Sequence, residues 1–309
     1  GKSSFTTSRK EKDEFRILSG YKDGHTTGSP LCVIFENTNT QSKDYENLKV
    51  LLRPNHADYP AGIKYKGFND IRGGGHFSGR ITLALTFAGA VAMDILEEKG
   101  IKIFSHIKKI LDIKDKSFLE FKEVDVDKFK NLKESSLAFI EDDLEIKAKE
   151  LLEKIKLSGN SVGGEIECAC YNLPVGLGSP FFDSLESKIS HLAFSVPAVK
   201  GIQFGIGFDF SNILGSEAND LYYLDNNQIK TRTNNNGGIL GGLSTGMPLV
   251  FSVVIKPTPS ISIEQETVNV KEMKNDILKI SGRHDACIVP RVMPVIEAIT
   301  ALAILDEIL

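Results

Sequence analysis

Residues 71–100 read IRGGGHFSGRITLALTFAGAVAMDILEEKG, and this stretch decides how the fold is interpreted. Its first third is a glycine-rich loop that carries Arg72 and Arg80. The remainder is apolar almost all the way round a helix, which we expect over about 79–99, with Ser78 as its candidate N-cap. Several residues of this helix are glycine or alanine, so that another element can approach it closely. The loop therefore leads into a helix that is predicted to be buried.

A second loop of the same kind, SGRHDACIVPR over 281–291, also runs into a long apolar helix, VMPVIEAITALAILDEIL. Two such units would bring their loops to one cleft. Between them, the patterning predicts strands at IKIFSHI, EIECACYN, KGIQFGIGF and PLVFSVVIKP, and helices at DDLEIKAKELLEKIK and FFDSLESKISHLAFSVP. EFRILSG and LCVIFEN predict an opening hairpin. We expect an α/β (α+β) fold, a single domain over residues 1–309, with helices layered against sheets.

The composition excludes several classes of partner. The 309 residues carry a net charge of -4 and a pI near 5.9, which argues against a nucleic-acid surface. No charge-free apolar run reaches the roughly 18 residues of a membrane span, and the opening GKSSFTTSRK lacks the apolar stretch of a secretory signal. Four scattered cysteines are too few for a disulfide framework. We expect a reduced, cytoplasmic protein.

Arginine is scarce and concentrated in this chain. Eight of the 37 basic residues are arginine, and five of the eight fall in LLRPNHADY, IRGGGHFSGR and SGRHDACIVPR. A guanidinium fork grips a carboxylate or a phosphate with two parallel hydrogen bonds, which lysine cannot do. We therefore predict a multiply anionic small-molecule ligand, while structural ion pairing is the alternative for any one arginine. The five are Arg53, Arg72, Arg80, Arg283 and Arg291.

Three motifs carry further candidate chemistry. In RPNHAD, His56 suits an acid, a base or the partner of an anion, and a structural histidine is the alternative. In RHD, Arg283 and Asp285 would lie on one side of an extended segment, with His284 on the other. KPTPS, residues 256–260, suits a phosphate, and a plain rigid turn explains it equally well.

The remaining motifs argue against other chemistries. The triple glycine fits neither a Walker A loop nor a GxGxxG fingerprint, and a phosphotransferase would need such a loop or a metal-binding carboxylate cluster. Cys168 and Cys170 are predicted to be buried apolar residues, since no second pair stands at metal-ligand spacing. His25, His106 and His191 show no partner pattern. No metal site is predicted.

The sequence resembles the chorismate synthase family over the whole chain. The resemblance rests on motifs that occur in the family's order: RPNHADY, IRGGGHFSGR, PAVKGIQFGIGF, TNNNGGILGG, KPTPS and SGRHDACIVPRVMPVIEA. TTSRKEKDEFRILSG, TTGSPL and SKDY match the family as well. The resemblance implies a β-α-β sandwich and a lyase of the shikimate pathway, in aromatic amino acid biosynthesis. Its reaction is the anti 1,4-elimination of phosphate from 5-enolpyruvylshikimate 3-phosphate, giving chorismate. The resemblance also implies reduced FMN (FMNH2) as the cofactor, NADPH only indirectly or not at all, and a homotetramer.

The same resemblance assigns roles to individual residues. His56 matches a histidine proposed to protonate the reduced flavin, and Asp285 matches a carboxylate proposed to help move the proton at its N5. Lys256 and the nearby hydroxyls would hold the FMN phosphate. The expected substrate contacts are Arg53, Ser78, Gly79 and Arg80, with Arg291 added from its motif. The expected flavin contacts are His76, Phe77, Ser78, Pro197, Ala198, Gly241, Lys256, Pro257, Thr258, Pro259, Ser260 and Arg283.

The sequence also departs from the family's pattern. His76 stands where the family usually has arginine, Ile81 where it has an acidic residue, and Asn55 where glycine is common. The family's opening segment, with a GESHG-type motif, is missing from the sequence, and it carries a second histidine thought to protonate the leaving phosphate. We therefore expect the 309-residue polypeptide to turn over poorly. The alternative function is a catalytically impaired flavin- and anion-binding fragment of such an enzyme.

Overall fold

The structure, a computed structural model, describes residues 13–36, 50–70, 72–280 and 285–309. Its helices are α1 Asp58–Lys64, α2 Thr82–Glu98, α3 Val126–Glu134, α4 Asp142–Leu157, α5 Leu185–Ser195, α6 Gly215–Ala218 and α7 Val289–Ile308. Its strands are β1 Phe15–Ser19, β2 Tyr21–Lys22, β3 His25–Thr26, β4 Cys32–Phe35, β5 Lys102–Ile110, β6 Ile113–Lys114, β7 Gly164–Tyr171, β8 Val199–Phe204, β9 Tyr222–Asp225, β10 Gln228–Thr231, β11 Ile239–Leu240, β12 Leu243–Ser244, β13 Leu249–Ile255, β14 Gln265–Asn269 and β15 Lys274–Leu278.

Five strands form one antiparallel sheet in the order β6-β5-β7-β13-β8. The central strands β7 and β13 are buried along most of their length because both faces of the sheet are covered. Successive side chains of a strand point to opposite faces, so Cys168 and Cys170 share one face. Both are fully buried, and Cys168 Sγ lies 3.6 Å from Thr300 Oγ1 of α7. The prediction of buried apolar cysteines is confirmed.

Helices α2 and α7 cover one face of the sheet and pack directly against each other. They meet at Gly89, where an added Cβ would lie 2.2 Å from the Cβ of Ala298. No side chain larger than hydrogen fits at that position without moving a backbone, so the glycine sets the distance between the two helices. The long apolar helices predicted after the two arginine loops are both confirmed.

Both helices begin at the same edge of the sheet. The side chain of Val289, the first residue of α7, lies against Gly164 at the start of β7. Helix α2 ends at the other edge, where Asn172 Nδ2 donates to Gly100 O at 2.9 Å, one residue after β7 ends. A helix of this length spans about 25 Å, so α2 begins towards the Gly164 edge. The described parts of the two preceding loops, residues 72–81 and 285–288, therefore lie towards the same end of the sheet.

A strand layer also contacts α2 from the N-terminal part of the chain. Strands β1 and β4 pair antiparallel, which confirms the predicted opening hairpin. The rings of Phe15 and Phe35 lie 5.0 and 5.9 Å from the ring of Phe87 on α2. Helix α2 therefore lies between this hairpin and α7, and α7 packs on β5 and β7 of the five-stranded sheet, which agrees with the expected mixture of strand and helix layers.

Aromatic side chains cover the other face of the sheet. Phe118 and Phe129 are fully buried and stack with Phe104 of β5 and Tyr171 of β7 at centroid distances of 5.1–6.4 Å. Phe118 and Phe129 belong to the highly charged stretch between β5 and β7, in which most charged side chains of α4 are exposed. Most charged residues of this stretch therefore face solvent, while its aromatic residues pack against the sheet.

His106 lies in this second face and has partners that the sequence pattern did not reveal. Its Nδ1 is 2.9 Å from Asp115 Oδ2, and its Nε2 is 3.1 Å from Glu167 Oε2. Both ring nitrogens face carboxylates and must donate, so the ring is an imidazolium. Burial lowers the pKa of His106, but the hydrogen bonds to Asp115 and Glu167 outweigh burial and raise the pKa above its usual value. The histidine is structural, as predicted, yet it is charged.

One helical stretch among the described residues, Gly79–Glu98, is long and apolar enough to cross a membrane by length and composition alone. The core helices of soluble proteins pass the same test. Only 17% of its most apolar window is buried within the single chain. The contacts of α2 with α7 and with the β1–β4 hairpin therefore leave much of its apolar surface exposed.

Replacing Gly89 with alanine should destabilise the fold. Overpacking a close contact costs about 1–3 kcal/mol, which exceeds the roughly 1 kcal/mol that alanine gains over glycine inside a helix. Gly62→Ala in α1 is the matched control, since no atom lies within 4 Å of its added Cβ. Urea unfolding should show a loss of free energy for Gly89→Ala and a gain for Gly62→Ala. Equal gains at both positions would mean that α2 and α7 lie farther apart.

Replacing His106 with glutamine should destabilise the protein in a pH-dependent way. Removing one partner of a buried ion pair costs about 3–5 kcal/mol. A pKa raised above the unfolded value of 6.5 gives stability that is fully present below pH 6.5 and is lost as the pH rises through the folded pKa. The difference in unfolding free energy between wild type and variant should therefore be larger at pH 6 than at pH 9. The exposed His25→Gln variant is the control, and a difference that does not change with pH would contradict the charged state.

Candidate active site

The loop before α1 holds Arg53, His56 and Asp58 together. The guanidinium of Arg53 grips the carboxylate of Asp58 with Nε 2.8 Å from Oδ2 and Nη2 2.7 Å from Oδ1. The backbone N–H of Arg53 also donates to Oδ2, at 3.0 Å. His56 Nδ1 lies 2.6 Å from Oδ1 of the same carboxylate. The side chains of Arg53 and Asp58 are 8% and 9% exposed, so this is a nearly buried cluster.

The cluster fixes which atoms carry protons. Burial raises the pKa of Asp58, but the hydrogen bonds from Arg53 and His56 outweigh it and hold the pKa well below its usual range. Asp58 is therefore an anion, and an anion can only accept, so His56 Nδ1 donates to it. The 3.1 Å approach of Arg53 Nη2 to His56 Nδ1 then joins two donors and is not a hydrogen bond. Asp58 therefore occupies Nδ1 of His56 and leaves Nε2 as the other ring nitrogen.

Asn55 connects this loop to the KPTPS segment. Its φ of +60° lies in the left-handed region, which glycine and asparagine adopt most easily. This conformation explains how asparagine replaces the glycine that is common in the family. Lys256 Nζ donates to the carbonyl oxygen of Asn55 at 2.7 Å and lies 3.3 Å from its Oδ1. Two motifs 201 residues apart in sequence are thereby in direct contact.

The KPTPS segment follows β13 and contacts a second predicted flavin motif. The backbone N–H of Lys256 donates to the carbonyl of Ala198 at 2.9 Å. Ala198 has a φ of +75°, a strained conformation for a residue with a Cβ. On the other side, Ser161 Oγ donates to the carbonyl of Thr258 at 2.7 Å. Pro197 and Ala198 therefore lie beside Lys256–Ser260 at the edge where β13 ends.

Among the described residues, one hydroxyl of this segment has no hydrogen-bond partner and its lysine has no carboxylate partner. Thr258 Oγ1 is buried and has no hydrogen-bond partner among them. Burial lowers the pKa of Lys256, and the neighbouring cation Lys200 lowers it further. Buried polar groups are rarely left unpaired. An anion bound here would accept from the hydroxyl and offset the repulsion between the two cations.

Asp285 and Arg291 form a second pair beside this segment. Arg291 Nε lies 3.2 Å from Asp285 Oδ2, and its Nη2 donates to Oδ1 at 3.2 Å. The neighbouring Ala286 accepts from the backbone N–H of Val162 at 2.8 Å. Val162 follows Ser161, which holds Thr258. Asp285 is thus placed next to the residues that support KPTPS.

The glycine-rich loop 72–80 forms two 3-10 turns, Arg72–Phe77 and Gly79–Ile81, where the sequence had indicated an open loop. Ser78 caps the second turn by accepting from Arg80 N at 3.2 Å, and this turn continues into α2. The ring of His76 lies 6.4 Å from the ring of Tyr65. The contacts described for this loop are local. It precedes α2, so it lies towards the same edge of the sheet as Lys256.

One predicted site residue among those described, Gly241, lies apart from this cluster. Gly241 lies in the turn between β11 and β12, where Gly242 O accepts from Leu185 N. That turn is near the beginning of β13, whereas Lys256 follows its end, and a strand of seven residues spans about 20 Å. Within one chain Gly241 is therefore distant from KPTPS. Arg283 lies outside the described residues, as does the side chain of Arg72.

Sequence reasoning missed three side chains that the structure places at the site. Asp58 is the carboxylate that both Arg53 and His56 bind, Lys200 is the second cation near Lys256, and Ser161 supports Thr258. The spacing of RPNHAD contained a signal for Asp58, because it stands two residues after the histidine. Lys200 and Ser161 come from other parts of the chain, and only the fold brings them here.

Comparisons with known proteins agree with this geometry. The chorismate synthase family model matches residues 1–309. The chorismate synthases of Thermococcus kodakarensis and Pyrococcus abyssi are 44% and 43% identical to the chain over 99% and 98% of its length, and the matches cover 83% of each of those proteins. A chorismate synthase crystal structure matches with a TM-score of 0.71 and 27% identity, over 95% of this chain and 76% of that one.

The bacterial relative from Dehalococcoides mccartyi is similarly close, at 43% identity over 99% of the chain and 83% of the relative. Nothing in these matches favours the alternative of an impaired flavin- and anion-binding fragment. The order of the motifs, the contact between RPNHAD and KPTPS and the similarity over nearly the whole chain all agree. The chain belongs to the chorismate synthase family, a family of lyases.

Proposed function

We propose that this protein removes phosphate from 5-enolpyruvylshikimate 3-phosphate to give chorismate, with reduced FMN as the cofactor, at the edge of the sheet where β13 ends. The observation that carries the proposal is the bond from Lys256 Nζ to the Asn55 carbonyl, at 2.7 Å. It joins the proton-exchanging histidine loop to the phosphate-binding segment. Ala198 and Asp285 adjoin the same segment through backbone contacts.

The side chains of the KPTPS segment and its neighbour Lys200 have the chemistry needed to bind the phosphate of FMN. Thr258 offers a buried hydroxyl without a partner among the described residues, and Lys256 and Lys200 offer two adjacent cations. Pro257 and Pro259 stiffen the segment, since proline fixes φ, and Ser260 adds a second hydroxyl. Pro197, Ala198, His76, Phe77, Ser78 and Arg283 are the further flavin contacts we propose. When bound, reduced FMN supplies a transient electron and an acceptor for the departing proton.

The substrate carries a phosphate and two carboxylates, and the arginine side chains bind them in this proposal. Arg53 commits Nε and Nη2 to Asp58, while its Nη1 forms no hydrogen bond with a described residue. Ser78, Gly79 and Arg80 stand at the start of α2, where backbone N–H groups and the helix dipole favour anions. Arg291 reaches the site beside Asp285. Gly241 contributes from the opposite end of β13 only if the flavin site extends beyond this cluster.

His56 and Asp285 move protons in this scheme. His56 Nδ1 is committed to Asp58, so Nε2 delivers or takes the proton that the flavin chemistry needs. Asp285 is a partly buried carboxylate that Arg291 holds in place. A general acid or base must lie within hydrogen-bond reach of the proton it transfers. Both groups adjoin the segment that would anchor the flavin, so they lie on the side of the sheet where the flavin would bind.

We also propose that the protein is a cytoplasmic homotetramer. Support comes from apolar surface that a single chain leaves exposed. Tyr222, Leu224 and Ile229 of the β9–β10 hairpin are 66–70% exposed. Val91 and Ile95 of α2 are also exposed in the single chain. Contiguous apolar surface of this kind marks an interface in soluble proteins, and subunit contacts would cover it.

An anaerobic assay tests the proposed function directly. The protein, 5-enolpyruvylshikimate 3-phosphate and chemically reduced FMN should yield chorismate and inorganic phosphate in equal amounts, with no net oxidation of the flavin. Oxidised FMN in place of reduced FMN is the control and should give no product. Chorismate formation that does not depend on reduced FMN would contradict the cofactor assignment, and no chorismate under any condition would contradict the function.

Replacing Thr258 with valine should separate cofactor binding from folding. The hydroxyl has no partner among the described residues, so its loss should leave the unfolding free energy of the apoprotein unchanged or higher. A hydrogen bond to a charged group contributes about 1.5–3 kcal/mol, so the affinity for FMN should fall by roughly 10- to 100-fold. Calorimetric titration with FMN and urea unfolding measure the two effects.

Thr267→Val is the matched control for this variant. The hydroxyl of Thr267 donates to the carbonyl of Leu52, so its loss should lower stability and leave the affinity for FMN unchanged. The proposed phosphate site would be wrong if Thr258→Val bound FMN as tightly as the wild type. It would also be wrong if both threonine variants weakened FMN binding equally.

A further inference from the structure

We infer that Asp58 is a positioning residue for the reaction, because it fixes His56 as the tautomer with its proton on Nδ1 and none on Nε2. This inference rests on the proposed function, in which His56 exchanges a proton during turnover. Asp58 itself touches neither flavin nor substrate in this scheme. It acts through the 2.6 Å contact between its Oδ1 and His56 Nδ1.

The first step of the argument is the fixed charge of Asp58. Four donors surround its two oxygens: the backbone N–H, Nε and Nη2 of Arg53, and His56 Nδ1. Arg53 keeps the guanidinium charge at any working pH. A carboxylate clamped in this way stays ionised, and it can only accept hydrogen bonds. His56 is therefore held with Nδ1–H pointing at Asp58.

The second step is the freedom of the other ring nitrogen. His56 Nε2 forms no hydrogen bond with a described residue, and the side chain is 15% exposed. His106 in the same chain shows the contrast, because carboxylates bind both of its nitrogens and neither can exchange a proton. His106 is thus held as a fixed charge by two carboxylates, whereas a carboxylate among the described residues holds only one nitrogen of His56.

The third step concerns the tautomer. A neutral imidazole in water favours the proton on Nε2, which would leave Nδ1 as the basic nitrogen. The carboxylate reverses that preference, since only Nδ1–H can donate to it. Without Asp58 the ring could rotate or change tautomer. In part of the molecules the neutral ring would then carry its proton on Nε2, and that nitrogen could not accept another. The same logic explains the aspartate of serine-protease triads.

A competing explanation is that Asp58 only holds Arg53 in place for the substrate. The two roles predict different kinetics. Loss of an Arg53 scaffold raises KM for the substrate, because uniform binding is weakened. Loss of the His56 tautomer lowers kcat and leaves the substrate KM far less changed, because the proton transfer is impaired.

The test is a double-mutant cycle on the full chain with reduced FMN and 5-enolpyruvylshikimate 3-phosphate. We expect Asp58→Asn to lower kcat by about 10- to 100-fold and His56→Asn by about 10²- to 10⁴-fold. In the His56→Asn background, Asp58→Asn should cost nothing further, since it acts through that ring. Asp220→Asn is the matched control, as Asp220 also accepts four hydrogen bonds but has no histidine among them.

A second measurement does not depend on activity or on the folding of Asp58→Asn. Nitrogen-15 NMR of the histidine-labelled wild-type protein reports which ring nitrogens carry protons, and His56→Asn assigns the signal. We expect a protonated Nδ1 and a bare Nε2 when the ring is neutral. A protonated Nε2 with a bare Nδ1 would overturn the inference.

The outcomes separate this inference from the function on which it rests. If wild type makes chorismate and His56→Asn is as fast, the proposed role of His56 fails. If His56→Asn is slow but Asp58→Asn is not, or if the two losses multiply, the positioning role of Asp58 alone fails. A dominant rise in KM for Asp58→Asn would instead assign the carboxylate to Arg53.

Discussion

The close contact between α2 and α7 at Gly89 is the constraint on which the rest of the structure depends. The two helices pack backbone to backbone at this position, and their contacts with the two ends of β7 show that they run in the same direction. Each is preceded by a loop that carries arginine. A larger residue at Gly89 would separate the helices, so a packing position in the middle of α2 controls the distance between the starts of the two helices.

At that edge the site is assembled by backbone groups as much as by side chains. The carbonyl of Ala198 accepts from Lys256 N, the carbonyl of Thr258 accepts from Ser161, and the carbonyl of Asn55 accepts from Lys256 Nζ. Two of these carbonyls belong to residues with positive φ, Asn55 and Ala198. Such conformations cost energy and persist where the surroundings hold them, and here they aim carbonyls at Lys256.

Much of the fold followed from the sequence because its signals were local. Alternation predicted β5, β7 and β13, and apolar periodicity predicted α2, α4, α5 and α7, since each element buries one face against its neighbours. The strand KGIQFGIGF ends early, at Phe204, because Gly205 turns the chain with a φ of +58°. The β14–β15 hairpin was not predicted. Its strands are partly exposed and polar, so they carry little alternation.

The site was less predictable because its partners are distant in sequence. Motifs indicated which residues matter, but they did not show that Asp58 binds both Arg53 and His56, or that Lys200 adjoins Lys256. His106 shows the same limit, since Asp115 and Glu167 come from a turn and from another strand. A single sequence contains the residues that pair with a buried charged group, but only the fold shows which of them lie close enough to pair.

The few arginine side chains also resolve an apparent choice between ion pairing and ligand binding. A nearly buried guanidinium without a counter-charge is costly, so a site that must wait for its anion needs a resident carboxylate. Asp58 serves Arg53 in this way, and Asp285 pairs with the more exposed Arg291. Each carboxylate keeps its guanidinium oriented, and a pre-oriented group loses less entropy when it binds a ligand. Asp58 also contacts His56, so one carboxylate orients both the arginine and the histidine for their proposed roles.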